Sequence, residues 1–479
     1  MVETVMVETT RRHDNISKTQ TSNQSTLLSL VSASVPWPEG SLAAFLQAAA
    51  DGPRVYWDNQ KVSLSFAGCG IAAKLTAQGP GRFEAIRRQV TSLFENIIAV
   101  NPNVPEPIGP RLFGGFAFKA EHRSEDLWSA FPTACFILPQ FQLTRFDNAL
   151  WLTANYVLDP HDDPLSIVWW LQEEARRLQQ KVENFRSAPL AENQAIKSPK
   201  TQPRFEDLMS PFTWQHLVSD ATRRIRRGEL DKVVLARARK MQSTYAINPT
   251  SVLARLERNY PDCYRFLFEP IPGHAFYGAT PELLAEIEES RLRTVALAGS
   301  IRRGASPQED DALGRELLAN PKERMEHAFV VEAIEEHIRP LTANLCIAPE
   351  PGLCRLSNIQ HIQTPIRGEL APGNDILSVV EALHPTPALG GRPRDLALNI
   401  INEAEPTARG WYGSPIGWID HRGNGTFAVA IRSAVSVGNE SILFAGAGIV
   451  ADSKPDREWR ETQLKFKPLM DALSETGPQ

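Results

Sequence analysis

The sequence predicts an α+β fold built on a large antiparallel sheet core. The second half, from about residue 205, alternates strand-like and helix-like segments with no repeated period, which excludes a solenoid or tandem array. The first half, to about residue 185, mixes β-rich segments with helical spacing. The 479 residues, 42% apolar and 22% charged, are enough for one very large domain or two to three ordinary ones, and the composition is that of a globular chain.

The elements follow in order. Residues 1 to about 26, rich in Thr, Ser, Asn and Gln, read as a disordered tail. Arg11-Arg12 lacks the apolar core that an export signal needs, and the acidic start is wrong for a secretory signal. Leu27–Val35 therefore reads as the start of the first strand. Arg54-Val-Tyr-Trp and Val62-Ser-Leu-Ser-Phe alternate as strands do, and Phe83 to Val100 has helical spacing. Leu112-Phe-Gly-Gly-Phe-Ala-Phe118 reads as a strand whose glycines let another backbone approach. Ile167 to Phe185 is an amphipathic helix, and Ser187 to Arg204, with three prolines, is an exposed connection. Beyond it, helices are predicted at Pro211–Arg227, Pro321–Ile338 and Pro455–Leu473. Strands are predicted at Lys232–Ala238, Ala275–Gly278, Ala296–Ala298, Gly425–Ala434 and Ser441–Ile449.

Charge and cysteine usage exclude several classes. Lys+Arg is 51 against 56 Asp+Glu, so the chain has no basic surplus for nucleic acid or acidic membranes. Its densest apolar run, Ile167-Val-Trp-Trp-Leu171, falls far short of the roughly 18 residues of a membrane span, so no membrane insertion is expected. Cys69, Cys135, Cys263, Cys346 and Cys354 show no metal-ligand spacing and read as small buried hydrophobes in a reducing, cytoplasmic setting.

Two helices each carry glutamates three apart. In Asn320-Pro-Lys-Glu-Arg-Met-Glu-His327, Asn320 suits the N-cap and Pro321 the first helical position. Glu323 can reach back to that cap, and Glu326 lies one turn on, on the same side. The second helix pairs Glu458 with Glu461 and places Lys465 one turn beyond. Taken singly, each pair reads as a solvated helix face; facing each other, they would make an oxygen-rich site suited to Mg²⁺. Ala445-Gly-Ala-Gly-Ile-Val450, placed between a strand and a helix, lacks the third glycine of a dinucleotide loop and suits close approach to a small anion. Arg223-Arg-Ile-Arg-Arg227 reads as a solvated helix end closed by Gly228. Lys232, opening an apolar strand, is either a solvated edge residue or a desolvated base. Glu282, after a Thr-Pro turn, reads on its own as a carboxylate in the first turn of a helix.

Together the motifs resemble the chorismate-utilising enzymes, the family of anthranilate synthase component I, and within it the isochorismate synthases. The stretches that carry the resemblance are Lys232-Val-Val-Leu-Ala-Arg237, Gly278-Ala-Thr-Pro-Glu282, Ala296-Leu-Ala-Gly-Ser300, Lys322-Glu-Arg-Met-Glu-His327, His384-Pro-Thr-Pro-Ala388, Glu405-Pro-Thr-Ala-Arg-Gly-Trp-Tyr-Gly413, Ala445-Gly-Ala-Gly-Ile449 and Glu458-x-x-Glu461-x-x-x-Lys465. They lie in family order between about residues 205 and 470, and Phe113-Gly-Gly-Phe-Ala-Phe118 extends the match into the first half.

The resemblance implies a single catalytic domain over 27–475, with an antiparallel β-sandwich core surrounded by helices. Its N-terminal half (27–185) and motif-bearing C-terminal half (205–475) would share that sandwich. It also implies Mg²⁺-dependent conversion of chorismate to isochorismate. By motif match, Glu326 and Glu461 would bind the metal, with Glu323 and Glu458 nearby, directly or through water. Lys232 would act as general base on a water attacking ring C2, and Glu282 would protonate the departing C4 hydroxyl from the opposite side. That division of labour requires a raised pKa at Glu282 and a lowered one at Lys232. Tyr412, Arg432, Lys465 and the Gly446 and Gly448 backbone would contact the substrate carboxylates, and His361 would border the ring.

Within the family, the ammonia-using enzymes resemble this chain less. Their counterpart of Lys232 is a glutamine, and aminodeoxychorismate synthase has a lysine nucleophile where Ala298 stands here. Leu27-Leu-Ser-Leu30 also lacks the glutamate of the tryptophan-feedback motif. Water as nucleophile and no glutamine-amidotransferase partner are therefore expected. A salicylate synthase, which adds pyruvate elimination, is the second reading, and a non-catalytic chorismate-binding protein the third. The length of the N-terminal region favours menaquinone- or phylloquinone-type enzymes. Oligomeric state is not set by the sequence.

Overall fold

A computed structural model describes residues 29–59, 64–100, 104–187, 202–356 and 359–474. The tail at 1–26 and most of the connection at 187–204 lie outside the described residues. Two twisted sheets pack face to face. Among the described residues the first has 13 strands, and from one edge it runs Arg204–Asp207, Lys232–Gln242, Glu440–Ile449, Ser433–Val437, His274–Thr280, Tyr264–Ile271, Arg54–Asp58 and Leu64–Cys69. The second has 10 strands and includes Ile359–Leu370, Arg291–Arg302, Leu283–Glu288, Gly425–Val429, Pro415–Asp420 and Arg111–Phe116. Each sheet takes strands from both sides of residues 188–201, so the two apparent halves share one sandwich. Among the described strands pairing is antiparallel except where Ser29–Trp37 runs parallel to Ile97–Val100.

Aromatic side chains fill the space between the sheets. Trp57, Phe66, Phe266, Phe268 and Phe276 from one sheet meet Phe113, Ile137, Ile416 and Ala428 from the other, with Phe131 and Trp411 inserted between them. Helices cover both outer faces. Leu42–Ala48, Pro164–Ser187, Pro249–Asn259 and Pro455–Ser474 bury their apolar sides on the first sheet. Arg82–Phe94, Pro321–Ile338 and Ile376–Leu383 cover the second, while Arg394–Ala404 packs against Lys232–Gln242 of the first. Asn320 caps its helix as expected, accepting from Lys322 N and Glu323 N at 3.0 and 3.3 Å.

Several local expectations are corrected. The helix expected over Phe83–Val100 ends at Phe94, because Ile97–Val100 finds a parallel strand partner at Leu30–Ala33. Gly425–Ala434 is two strands, broken at 430–432 where the chain crosses from the second sheet to the first. Ala445–Ile449 does not precede a helix directly; it lies inside the strand Glu440–Ile449. Cys69, Cys135 and Cys263 are buried as expected, but Cys346 is exposed and Cys354 half-buried, both on short strands pairing with Ile359–Leu370. The arginine run ends a helix as expected: Arg223 and Arg224 pair with Asp220, while Ile225 is buried. Among the described residues no helix is long and apolar enough to cross a membrane.

Candidate active site

One cavity of about 120 Å³ opens at the edge of the sandwich, against the roughly 10–15 Å³ that a single water needs. Two chain crossings between the sheets form its floor. One runs from His274–Thr280 to Leu283–Glu288 and carries Glu282; the other, at 430–432, carries Arg432. Glu282 is therefore no helix-start carboxylate. Its N–H donates to Thr280 Oγ1 at 3.2 Å, and its carbonyl accepts from Val429 N at 3.0 Å. Arg432 sits at φ 50°, a left-handed conformation that non-glycine residues rarely adopt and that the second crossing imposes.

The third wall is the strand Glu440–Ile449. Its pairing with Ser433–Val437 stops at Leu443, so the stretch through Gly446 and Gly448 has no strand on that side. Gly448 lies opposite Val234 and Gly446 opposite Ala236. Val234 N and Ala236 N donate away from this pairing, to Gly390 O at 2.8 Å and Glu405 Oε1 at 2.7 Å. In an antiparallel ladder that alternation turns the N–H and C=O groups of Gly446 and Gly448 the other way, toward the open edge. The absence of side chains here is steric: a Cβ on Gly448 would lie 2.9 Å from Lys232 Cε and 3.3 Å from Glu326 Oε1.

Of the residues singled out from the sequence, Lys232, Glu282, Glu326, His361, Tyr412, Arg432, Gly446, Gly448, Glu461 and Lys465 all line this cavity. Glu323 and Glu458 lie just behind it, buried on the same helices as Glu326 and Glu461. Glu323 does not reach back to its helix cap. It accepts instead from Ser300 N–H, beside the bulge at Gly299. Residues the sequence reading did not assign to the site supply the apolar walls: Val234, Leu297, Leu389, Ile431 and Phe444.

The electrostatics divide the titratable groups. Lys232 Nζ lies 2.7 Å from Glu326 Oε1, and Lys465 Nζ lies 2.6 Å from Glu461 Oε1. Burial would raise both carboxyls, but the neighbouring lysines prevail and hold them below the usual range. Glu458 has no such partner; burial and the charge of Glu461 push it up to about 7, and burial and Glu326 raise Glu323. Glu282 is also raised to about 7 by burial, against the pull of Lys232, Lys465 and Arg432. Burial and Arg432 depress His361 to about 4, so it is neutral near pH 7. Its Nδ1 lies 3.1 Å from Gly299 O, and a carbonyl only accepts, so Nδ1 carries the proton and Nε2 keeps a lone pair. Tyr412 is held with its ring stacked on Phe444, centroids 5.1 Å apart.

Four buried or half-buried carboxylates on two neighbouring helices, joined by Arg457 to Glu323 at 3.7 Å, make an all-oxygen donor set of the kind Mg²⁺ takes. Among the described residues no three acidic, His or Cys side chains converge on one point as a full protein cage would require. Mg²⁺ commonly uses only one or two carboxylates and completes its shell with water and substrate oxygens, so Glu326 and Glu461 fit.

A family model described as chorismate binding enzyme matches residues 14–474. A Pseudomonas aeruginosa protein named salicylate biosynthesis isochorismate synthase is 38% identical over 426 residues, covering 89% of this chain and 86% of that protein. Isochorismate synthase MenF of Bacillus subtilis is 34% identical over 427 residues, 88% of each chain. Among solved structures, MenF, the menaquinone-specific isochorismate synthase from Escherichia coli, superposes with a TM-score of 0.75 at 27% identity, covering 93% of this chain and 94% of that one.

Proposed function

The chain belongs to the chorismate-binding enzyme family, and from that membership we propose that it is an isochorismate synthase, moving the ring hydroxyl of chorismate from C4 to C2. The observation that carries the reading is the convergence of Lys232 and Glu282 on one cavity walled by carboxylates and cations. Hydroxide is a poor leaving group and water a poor nucleophile, so the exchange needs an acid and a base at once. Lys232, as general base, takes a proton from water as its oxygen bonds to C2. Glu282, raised to about 7, gives a proton to the C4 hydroxyl, which leaves as water while the ring double bonds shift. Water enters and water leaves, so atoms balance.

Binding of the two substrate carboxylates falls to Arg432, Tyr412, Lys465 and the open-edge amides of Gly446 and Gly448. Lys465 spends donors on Glu461 and on Gly446 O at 2.9 Å, leaving one of its three for substrate. Neutral His361 offers Nε2 as an acceptor beside the ring. Glu326 and Glu461 would hold Mg²⁺, with Glu323 and Glu458 reaching it through water; the bound ion would supply Lewis-acid charge to the ring carboxylate. A reducing cytoplasmic setting fits the five cysteines, none of which is in a disulfide among the described residues.

Relatives divide on the fate of the product. The Pseudomonas aeruginosa name points to salicylate and the Escherichia coli one to menaquinone. Both routes begin with isochorismate, and we assign this chain that step and the quinone route. Purified protein with chorismate and Mg²⁺ is expected to form isochorismate without pyruvate, and EDTA is expected to abolish turnover until Mg²⁺ is restored in excess. Salicylate with matching pyruvate supports the salicylate synthase reading instead. Turnover unmoved by EDTA removes the metal assignment.

A further inference from the structure

We propose that the buried Glu405–Arg409 ion pair is a positioning device for this reaction, fixing the Lys232 strand and the Tyr412 turn against the cavity. The inference rests on the isochorismate synthase reading above. Neither residue lines the cavity, and their side chains are 5% and 1% exposed. Arg409 grips Glu405 as a fork, Nη2 to Oε1 at 2.6 Å and Nε to Oε2 at 2.8 Å. Its other donors go to backbone: Nη1 to Leu389 O at 2.9 Å and Nη2 to Val234 O at 2.8 Å. Its face lies over the Phe118 ring, 4.3 Å from the centroid. Glu405 Oε1 also accepts from Ala236 N at 2.7 Å.

These bonds fall where strand pairing fails. Lys232–Gln242 is flanked on that side by Gly391–Arg392 against its first two residues and by Arg204–Asp207 against its last four. In the gap, Val234 O and Ala236 N are held by side chains rather than by a neighbouring strand. Val234 is two residues from Lys232 and lines the cavity, as does Leu389. Arg409 O in turn accepts from Tyr412 N at 2.9 Å. Three segments of the cavity wall therefore meet at one arginine. A lysine keeps the charge and the backbone carbonyl that Tyr412 N uses, but its single nitrogen and lack of a planar fork cannot bridge Glu405, Leu389 O and Val234 O together.

The test compares kcat and KM for chorismate in the wild-type full chain, Arg409→Lys and Glu405→Gln, with melting temperatures for each. Arg54→Lys is the matched control. Arg54 is as deeply buried against Glu269 (Nε to Oε2 2.6 Å), also donates to a backbone carbonyl (Leu46 O, 2.8 Å), and neither it nor its partners line the cavity. Both pair variants are expected to lose kcat by roughly tenfold or more, as misplacement of a reacting group does, with a smaller change in KM. The control, at a comparable fall in melting temperature, should keep kcat near wild type. Folded pair variants with wild-type kcat, or an equal kcat loss in the control, overturn the proposal. If neither pair variant folds while the control does, the pair is merely structural and the proposal falls. A wild type that forms no isochorismate defeats the functional reading itself, before any variant is compared.

Discussion

Lys232→Ala is expected to lower kcat for isochorismate formation by roughly 10²–10⁴, the contribution of one general base. The side chain is buried, opens the strand Lys232–Gln242, and lies where only a glycine at 448 leaves room for it. Removing it also strips Glu326 of its cation and leaves a carboxylate without its ion-pair partner beside Glu461. Chorismate KM and the melting temperature separate the two effects. Loss of the base acts on kcat, whereas disorder of the carboxylates would also raise the Mg²⁺ concentration needed at the proposed metal site. Lys232→Gln should be as inactive with water, because an amide is no base. A Lys232→Ala variant that keeps a tenth or more of wild-type kcat removes Lys232 from its role.

Glu282→Gln should cost a similar factor, roughly 10²–10⁴, because an amide cannot give up a proton to the leaving hydroxyl. The acid works only while protonated, so wild-type kcat/KM is expected to fall above about pH 7, and Glu282→Gln should lack that limb. Stability should fall in the same direction with pH. The folded pKa of about 7 lies above the ordinary 4.5, so the protonated form favours the fold. That contribution is fully present below about pH 4.5 and is lost as pH rises through 7. At pH 8 the wild type therefore carries a charge penalty on the order of 3 kcal/mol that the glutamine variant escapes. Glu282→Gln should melt higher than wild type at pH 8 and close to it at pH 4.5. Thermal melts across that range check the sign; equal melting temperatures at both pH values contradict it.

The site was far more legible in the sequence than the paths that assemble it. The spacing of the glutamates alone reads as two solvated helix faces, and it is the family resemblance that assigns Glu326 and Glu461 to one site; both line the cavity. Glycines at 446 and 448 mark a close approach, although the approaching group is the Lys232 side chain as well as any anion. Pairing over long separations was not legible. Ile97–Val100 continues a helical apolar period, and only the distant Leu30–Ala33 makes it a strand. The break at 430–432 has no Gly or Pro to announce it, yet it turns Arg432 into the cavity. Glu282 follows a Thr-Pro pair that opens a strand as readily as a helix, and the second sheet decides the matter. Glu405 and Arg409 stood in a motif, but their partners at 234, 236 and 389 lie well outside it.

Turnover of chorismate in H₂¹⁸O with Mg²⁺, followed by mass analysis of the product, tests the central claim most directly. Water attack at C2 with loss of the C4 hydroxyl predicts isochorismate bearing one ¹⁸O, at C2, and no label in residual chorismate beyond what the reverse reaction returns. Isochorismate formed without label would mean that the hydroxyl migrates within the ring system, and Lys232 and Glu282 would not be the base and acid of a water exchange.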